Sequence, residues 1–315
     1  MAATTLYQAH GGHIDFKAYG SLYNKTFDKI AKRRDQSPRE LSRFFSERST
    51  NLETYKEGEV SSVLEVPQKN EDTDRIPLLN PVEGFSKTWT NVQRRSGFIV
   101  TRRAVSAQKT RMISKMLTGL PNSAARLEEM AMADLFNNGF ATETSGDGTF
   151  IFADDHIYED PQHGTWSNEA ASGGGFTTSS YFTAWLNLMQ RKNERGFPDP
   201  MTPAEVLYPV AMQESVSKVH NSIQYPQNSL NAKMDKLFSS FEMVPSVWLT
   251  SATQWFVHAK TDDADKGMVI VWETKPNYAS ISDSMNPELV MGRRLLMSFD
   301  VGALHGRDWY ANVGS

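Results

Sequence analysis

The densest group of side chains able to do metal or acid–base chemistry is Asp154, Asp155, His156 and His163. Carboxylates and imidazoles at such short spacing can hold a divalent cation. No HExxH-like helix frames them, however, and they fall in the polar, Gly-rich stretch from Asp154 to Gly175, which reads as a structural loop. His10-Gly11-Gly12-His13 lies in a polar lead-in, where only incidental metal binding is expected. The carboxylate pairs Glu128-Glu129 and Asp262-Asp263 are expected on solvated helix faces or loops, away from any cleft. Gly146-x-Gly148-x-x-Ile151 lacks the third glycine of a dinucleotide fingerprint and precedes a strand rather than a helix. Neither the G-x-S-x-G elbow nor the P-loop pattern occurs. With no cysteine, disulfides, Cys-ligated metals and thiol nucleophiles are excluded. The chain is therefore read as a non-enzyme, with no catalytic, cofactor-binding or metal residue expected.

The elements that would position such groups also look unlike an enzyme domain. The chain has 315 residues, enough for one large domain or two smaller ones. Its net charge of −4 argues against a dedicated nucleic-acid binder. No signal peptide is expected at the start, and no run approaches the ~18 apolar residues of a membrane helix. Residues 1–50 read as a basic arm, either solvated or reaching a neighbouring subunit or facing enclosed DNA. In it Ser37-Pro38-Arg39-Glu40 has capping-box spacing and predicts a short helix carrying Leu41, Phe44 and Phe45.

Residues 51–103 read as β-rich. The runs are Val60 to Val66, Phe85 to Val92 and Gly97 to Thr101, with Pro or Gly at their edges. A helix is predicted over 105–118 and, after an interruption at Gly119 and Pro121, a second over 121–138, capped by Gly139. Met130 and Met132 read as packing rather than a cofactor box. Phe150-Ile151-Phe152 predicts a short strand. A helix over 178–195 would carry Phe182, Trp185, Leu186 and Met189 and stop at Gly196. Thr202-Pro203-Ala204-Glu205 has capping-box spacing, yet Pro209 would stop a helix after barely two turns, so a strand through Val206-Leu207-Tyr208 is preferred. A helix follows over 210–222, with Met212, Val216 and Val219 inward. Strands are expected at 237–245, 247–249, 254–259 and 268–273, and two long ones over 293–310.

Several stretches, in this order, resemble the major head subunits of Mu-like and related tailed bacteriophages. They begin with Gly97-Phe98-Ile99-Val100-Thr101-Arg102 and Glu128 or Glu129 followed by Leu135-Phe136-Asn137-Asn138-Gly139-Phe140. Asp147-Gly148, Phe150-Ile151-Phe152, Asp155-His156 and Gly164-Thr165 with Ser167-Asn168 follow. Then come Gly196, Pro198, Pro203, Leu207-Tyr208-Pro209, Val247-Trp248-Leu249-Thr250 and Gln254-Trp255-Phe256, and lastly Arg293-Arg294, Phe299-Asp300 and Gly302. Each is weak alone; their order across residues 51–315 carries the resemblance.

The resemblance implies an α+β Hong Kong 97-like phage capsid fold. In it, 1–50 is the N-terminal arm, 51–103 the extended loop, 104–154 the peripheral domain with its spine helix, 155–265 the axial domain and 266–315 the return strands. It implies a self-assembling major capsid protein that forms pentamers and hexamers in an icosahedral shell around double-stranded DNA. Portal, scaffolding and decoration proteins are the expected partners, the virion the expected location and the host cytoplasm the place of assembly. The short lead-in is expected to leave no room for a large fused scaffold. Some relatives are cross-linked between a lysine and an asparagine; Lys69 and Lys87 lie in the corresponding region, with no partner assignable. An encapsulin-type compartment shell has the same fold and is the alternative, ahead of a metal-dependent enzyme using Asp154, Asp155, His156 and His163.

Overall fold

The computed structural model describes residues 15–35, 39–60, 83–107, 109–158, 164–193, 197–221, 241–263, 265–281 and 288–314. The lead-in is not a solvated arm over its described part. Asp15 accepts from the amides of Lys17 and Ala18 and so starts helix α1, Phe16–Asp35. Tyr19, Tyr23, Phe27 and Ala31 recur every four residues, form one stripe and are buried. The helix expected from Ser37-Pro38-Arg39-Glu40 shrinks to one 3-10 turn, Ser42–Phe44. The amides of Glu40 and Leu41 go instead to the Glu129 carboxylate, 2.6 and 3.2 Å away. Leu41, Phe44 and Phe45 are buried as expected.

Strands β1 (Ser46–Ser49), β2 (Thr54–Val60), β3 (Glu83–Thr90) and β4 (Val92–Thr101) follow. Most of the run predicted from Val60 to Val66 lies outside the described residues. After a short α2 (Arg102–Ser106), α3 runs unbroken from Thr110 to Asn138. The interruption expected at Gly119 and Pro121 does not occur. An interior proline costs ~3 kcal/mol in a helix. Burial of Ile113, Leu117, Leu120, Ala124 and Phe136 on the packed side outweighs that cost. Gly139 does end the helix, but in right-handed backbone. Glycine is needed there because a Cβ would lie 2.6 Å from the Leu135 carbonyl oxygen and 2.7 Å from the Phe152 ring. Glu128 and Glu129, expected on solvated faces, are buried, as is Met132, while Met130 is exposed.

Phe150-Ile151-Phe152 is a turn held by an isolated bridge from Thr144 to Phe150, not a strand. A two-stranded hairpin follows, β5 (His156–Ile157) with β6 (Thr165–Trp166). Helix α4 (Thr178–Met189) starts from a Thr177–Ser180 capping box and ends six residues short of the expected boundary. Its buried side carries Tyr181, Ala184 and Leu188, so the expected stripe of Phe182, Trp185, Leu186 and Met189 is only half-buried. Gly196 lies outside the described residues. β7 (Pro203–Pro209) is the expected strand, with its prolines at the two ends. A 3-10 turn, Val210–Met212, leads into α5 (Gln213–His220), with Val216 and Val219 buried. β8 (Glu242–Ser246), β9 (Trp255–Ala259), β10 (Met268–Ser280), β11 (Leu289–Ala303) and β12 (Trp309–Asn312) complete the chain. Val247-Trp248-Leu249 is a bend rather than a strand, and only β11 of the last two is long.

Two four-stranded sheets result, ordered β1-β10-β11-β4 and β12-β9-β7-β8. Helices α1 and α3 pack on the first sheet, and α4 packs on β12. Phe136 joins α3, which packs on the first sheet, to the second sheet, with its ring 5.3 Å from Phe256 of β9, 5.0 Å from Trp309 of β12 and 6.3 Å from Phe44. A second core gathers Tyr181, Tyr208, Phe241 and Trp255 around the other face of the second sheet.

Candidate assembly surface

The β2–β3 hairpin stands apart from the two large sheets. It pairs from Thr54↔Thr90 out to Val60↔Glu83 and belongs to neither large sheet. Its base is fixed firmly. Trp89 is buried against Val269 and Val271, with Tyr55 packed beside it. Gly302 makes that seat, since a Cβ there would lie 2.6 Å from the Trp89 indole nitrogen. The Thr90 amide donates to Asp300, and the Asn91 amide donates to the Glu53 carbonyl. Lys87 donates to the Thr144 carbonyl at 2.6 Å and is an internal brace; its burial pulls its ammonium below the ordinary lysine value. Lys69 lies outside the described residues. Leu52, at the turn before β2, is 67% exposed.

The lead-in is clipped to α3. The Arg39 guanidinium donates to Glu128 at 2.6 Å, next to the two amide bonds that Glu129 accepts. Burial pushes both carboxyls up, against the opposing pull of these donors. Arg43 then reaches the second sheet, where it donates to Glu205 of β7 and Glu242 of β8.

Beneath Arg43 lies a charged knot. His258 of β9 is buried, with Nδ1 3.1 Å from Glu205 and Nε2 3.4 Å from Asp308. Its ring packs 4.5 Å from Trp309 and 5.3 Å from Phe44. Burial alone would lower the imidazole, but Asp308 and Glu205 outweigh it and hold it above the ordinary histidine value. The stability this gives is full below the unfolded value of ~6.5. It is lost as pH rises through the elevated folded value. We expect the melting temperature to fall between pH 6 and pH 9, and the fall to be smaller in His258→Gln. Equal slopes in the two proteins would refute that role.

The three described residues of the candidate metal group do not converge. His156 points inward, with Nδ1 2.8 Å from Asp147 and Nε2 3.2 Å from Asn168, and stacks 4.2 Å from Trp166. Asp154 and Asp155 are exposed on the loop, and His163 lies outside the described residues. Among the described residues no group of three or more His, Asp or Glu side chains is arranged to hold a metal ion. His10 and His13 lie outside the described residues. Asp262 and Asp263 are exposed, and Asp263 pairs with Lys266 at 2.7 Å. Asp147 and Asn168 are the functionally placed residues that spacing alone did not reveal. Burial alone would raise the Asp147 carboxyl, but the His156 ring and the Ser145 and Thr149 hydroxyls hold it well below the usual carboxylate range. Asn168 accepts from the Ala153 amide and donates to the carbonyls of Ile151 and Gly306. The knot therefore ties three loops together.

The sequence matches the phage capsid protein family over residues 87–313. The chain belongs to the phage capsid protein family. No curated protein matches it. Among solved structures, a chain of the Microbacterium phage Oxtober96 superposes with a TM-score of 0.55 at 8% identity, covering 89% of this chain and 92% of that one. The procapsid chain of bacteriophage JBD30 gives 0.53 at 11% identity, with coverage of 95% and 76%. The virus-like particle of Pyrococcus furiosus gives 0.53 at 8% identity, with coverage of 92% and 99%. Identities this low speak for the fold, which is the Hong Kong 97-type α+β capsid fold. As a member of the phage capsid family the chain is a structural protein. Its candidate site is accordingly the hairpin, the clipped lead-in and the exposed apolar residues, not a cleft. Among the described residues no helix is long and apolar enough to cross a membrane.

Proposed function

We propose that this chain is the major head subunit of a tailed bacteriophage and that it assembles through its β2–β3 hairpin into a closed icosahedral shell around double-stranded DNA. The observation that carries this reading is the family match over residues 87–313, together with a hairpin held rigidly at its base and unpaired with either sheet. On this reading 51–103 is the extended loop, lying over a neighbouring subunit. Residues 104–154 and 266–315 form the peripheral domain, with α3 as its spine, and 155–265 form the axial domain around local symmetry axes. Residues 1–50 form the N-terminal arm, of which α1 is docked on its own subunit. Heterologous contacts of this kind close into rings of five and six. Many modest interfaces then act together, so that the shell outlasts any one contact.

The chain performs no catalysis on this reading, resides in the virion, and meets portal, scaffolding or decoration proteins in the host cytoplasm. The Pyrococcus furiosus particle shares the fold as closely as the JBD30 procapsid does, so the fold leaves a compartment shell as the second reading. The family match favours the phage. Negative-stain microscopy and light scattering of the purified chain are expected to show uniform hollow shells or rings of five and six. Deleting residues 61–82, which connect β2 to β3 in the sequence, is expected to abolish shells while leaving a folded subunit. A wild-type chain that stays monomeric or dimeric at every salt concentration, even beside the products of adjacent genes, would overturn the reading.

A further inference from the structure

The chain is acidic overall, yet one of its surfaces is basic. Helices α1 and α3 lie side by side on the first sheet and bury opposite sides to those they expose. At about 100° per residue, Arg111, Lys115 and Arg126 fall within roughly 60° of one another on α3. All three are exposed. On α1, the exposed cations Lys17, Lys25, Lys29 and Lys32 lie opposite the buried stripe of Tyr19, Tyr23, Phe27 and Ala31. Acids offset them only in part. On α3 the acids are Glu128 and Glu129, both buried and turned to the clip, and one exposed carboxylate, Asp134, about two turns beyond Arg126. On α1, Asp28 is engaged by Arg293 at 2.6 Å and Asp35 by the Tyr278 hydroxyl at 3.3 Å. Arg102, also exposed, lies over the Phe16 ring at the start of α1 and extends the patch there.

We infer that the outer side of this two-helix layer is a nucleic-acid surface that binds the phosphate backbone without reading sequence, and that it is the face the subunit turns toward the enclosed DNA. The second half rests on the shell reading above. Lysines and arginines on rigid helices, with no base-reading loop and no aromatic stacking platform among them, suit phosphate contacts alone. A surface of this kind gives weak, salt-steep, sequence-independent binding, which would hold DNA against a wall without fixing its path. It also accounts for a basic patch in a chain of net charge −4, where an unselected surface would be mixed in sign.

The test has two arms. In the first, binding of a fluorescent 24-base-pair duplex to the full-length soluble chain is followed by anisotropy across salt concentrations. Each lost phosphate contact reduces the salt slope by about 0.9. Lys25→Glu/Lys29→Glu/Arg126→Glu is expected to weaken binding at least tenfold at low salt and to flatten the slope. Lys192→Glu/Lys260→Glu, which changes exposed cations elsewhere, is expected to leave both unchanged. An unchanged slope in the triple variant overturns the nucleic-acid surface, whether or not shells form. So does an equal loss in the control, which would make the effect one of net charge. In the second arm, intact and dissociated shells are treated with an amine-reactive polyethylene glycol too large to enter. Lys25 and Lys29 are expected to be labelled only after dissociation. Equal labelling of intact shells would place the face outside and overturn its inward orientation. Absence of any shell would instead overturn the reading beneath it.

Discussion

Phe136→Ala is expected to be the most damaging single substitution in the described fold, lowering stability by about 3–5 kcal/mol. At this chain length that corresponds to a fall in melting temperature on the order of 10 °C. Phe136 is fully buried near the end of α3 and touches rings from four different segments: Phe44 and Phe45 of the lead-in, Phe152, Phe256 of β9 and Trp309 of β12. Truncation leaves a cavity that no single neighbour can fill, because each of those rings is anchored in its own element. The damage therefore reaches the joint between α3 and the second sheet and not only the helix. Thermal unfolding of the purified variant, with shell yield alongside, checks this. A loss below about 1 kcal/mol would show that α3 is held to the second sheet by other means.

Asp147→Asn is expected to follow closely, at about 3–5 kcal/mol, because it breaks a buried pair while leaving its partner in place. Asp147 and His156 are 2.8 Å apart, with side chains only 7% and 1% exposed. Aspartate also accepts from Ser145, the Thr149 hydroxyl and the Thr149 amide, so an amide side chain cannot reproduce its acceptor set. The sign of the pH dependence follows from the depressed carboxyl. Its contribution is complete above the unfolded value of ~3.9 and is lost as pH falls through the lower folded value. The wild-type chain should therefore lose stability below about pH 4 more steeply than Asp147→Asn does. Urea midpoints at pH 7 and pH 3 measure both effects. A variant as stable as the wild type at pH 7 would mean that the knot is dispensable.

These residues also show how far the sequence reads. The strand ending at Leu207-Tyr208-Pro209 and the inward Met212, Val216 and Val219 follow from proline position and helical spacing, and both stand in the structure. The first helix is carried by Tyr19, Tyr23, Phe27 and Ala31 at a spacing of four. Dense lysines and arginines mask that signal, since a helix needs only one apolar stripe to dock. Pro121 reads as a break because local propensity opposes it, and tertiary burial overrides propensity. β10 looks short in sequence because Lys275-Pro276-Asn277 interrupts its pattern. The structure absorbs the proline at a shift of register between Thr274 and Asn277, and the strand continues.

The charged knots were the least legible. His258, Glu205 and Asp308 are each unremarkable in sequence and meet only because β7, β9 and the turn before β12 converge. Likewise Glu128 and Glu129 read as a solvated pair until the lead-in supplies Arg39 and two backbone amides from about 90 residues away. Non-local pairing of this kind leaves no mark on local spacing.

The central claim, that this chain builds a shell by laying its hairpin on a neighbour, is tested most directly by a cryo-electron microscopy map of the assembled particle. The account predicts capsomers of five and six subunits, with the β2–β3 hairpin rooted on its own subunit at Trp89 and reaching the subunit beside it. Particles whose hairpin folds back on its own body and touches no neighbour would contradict it.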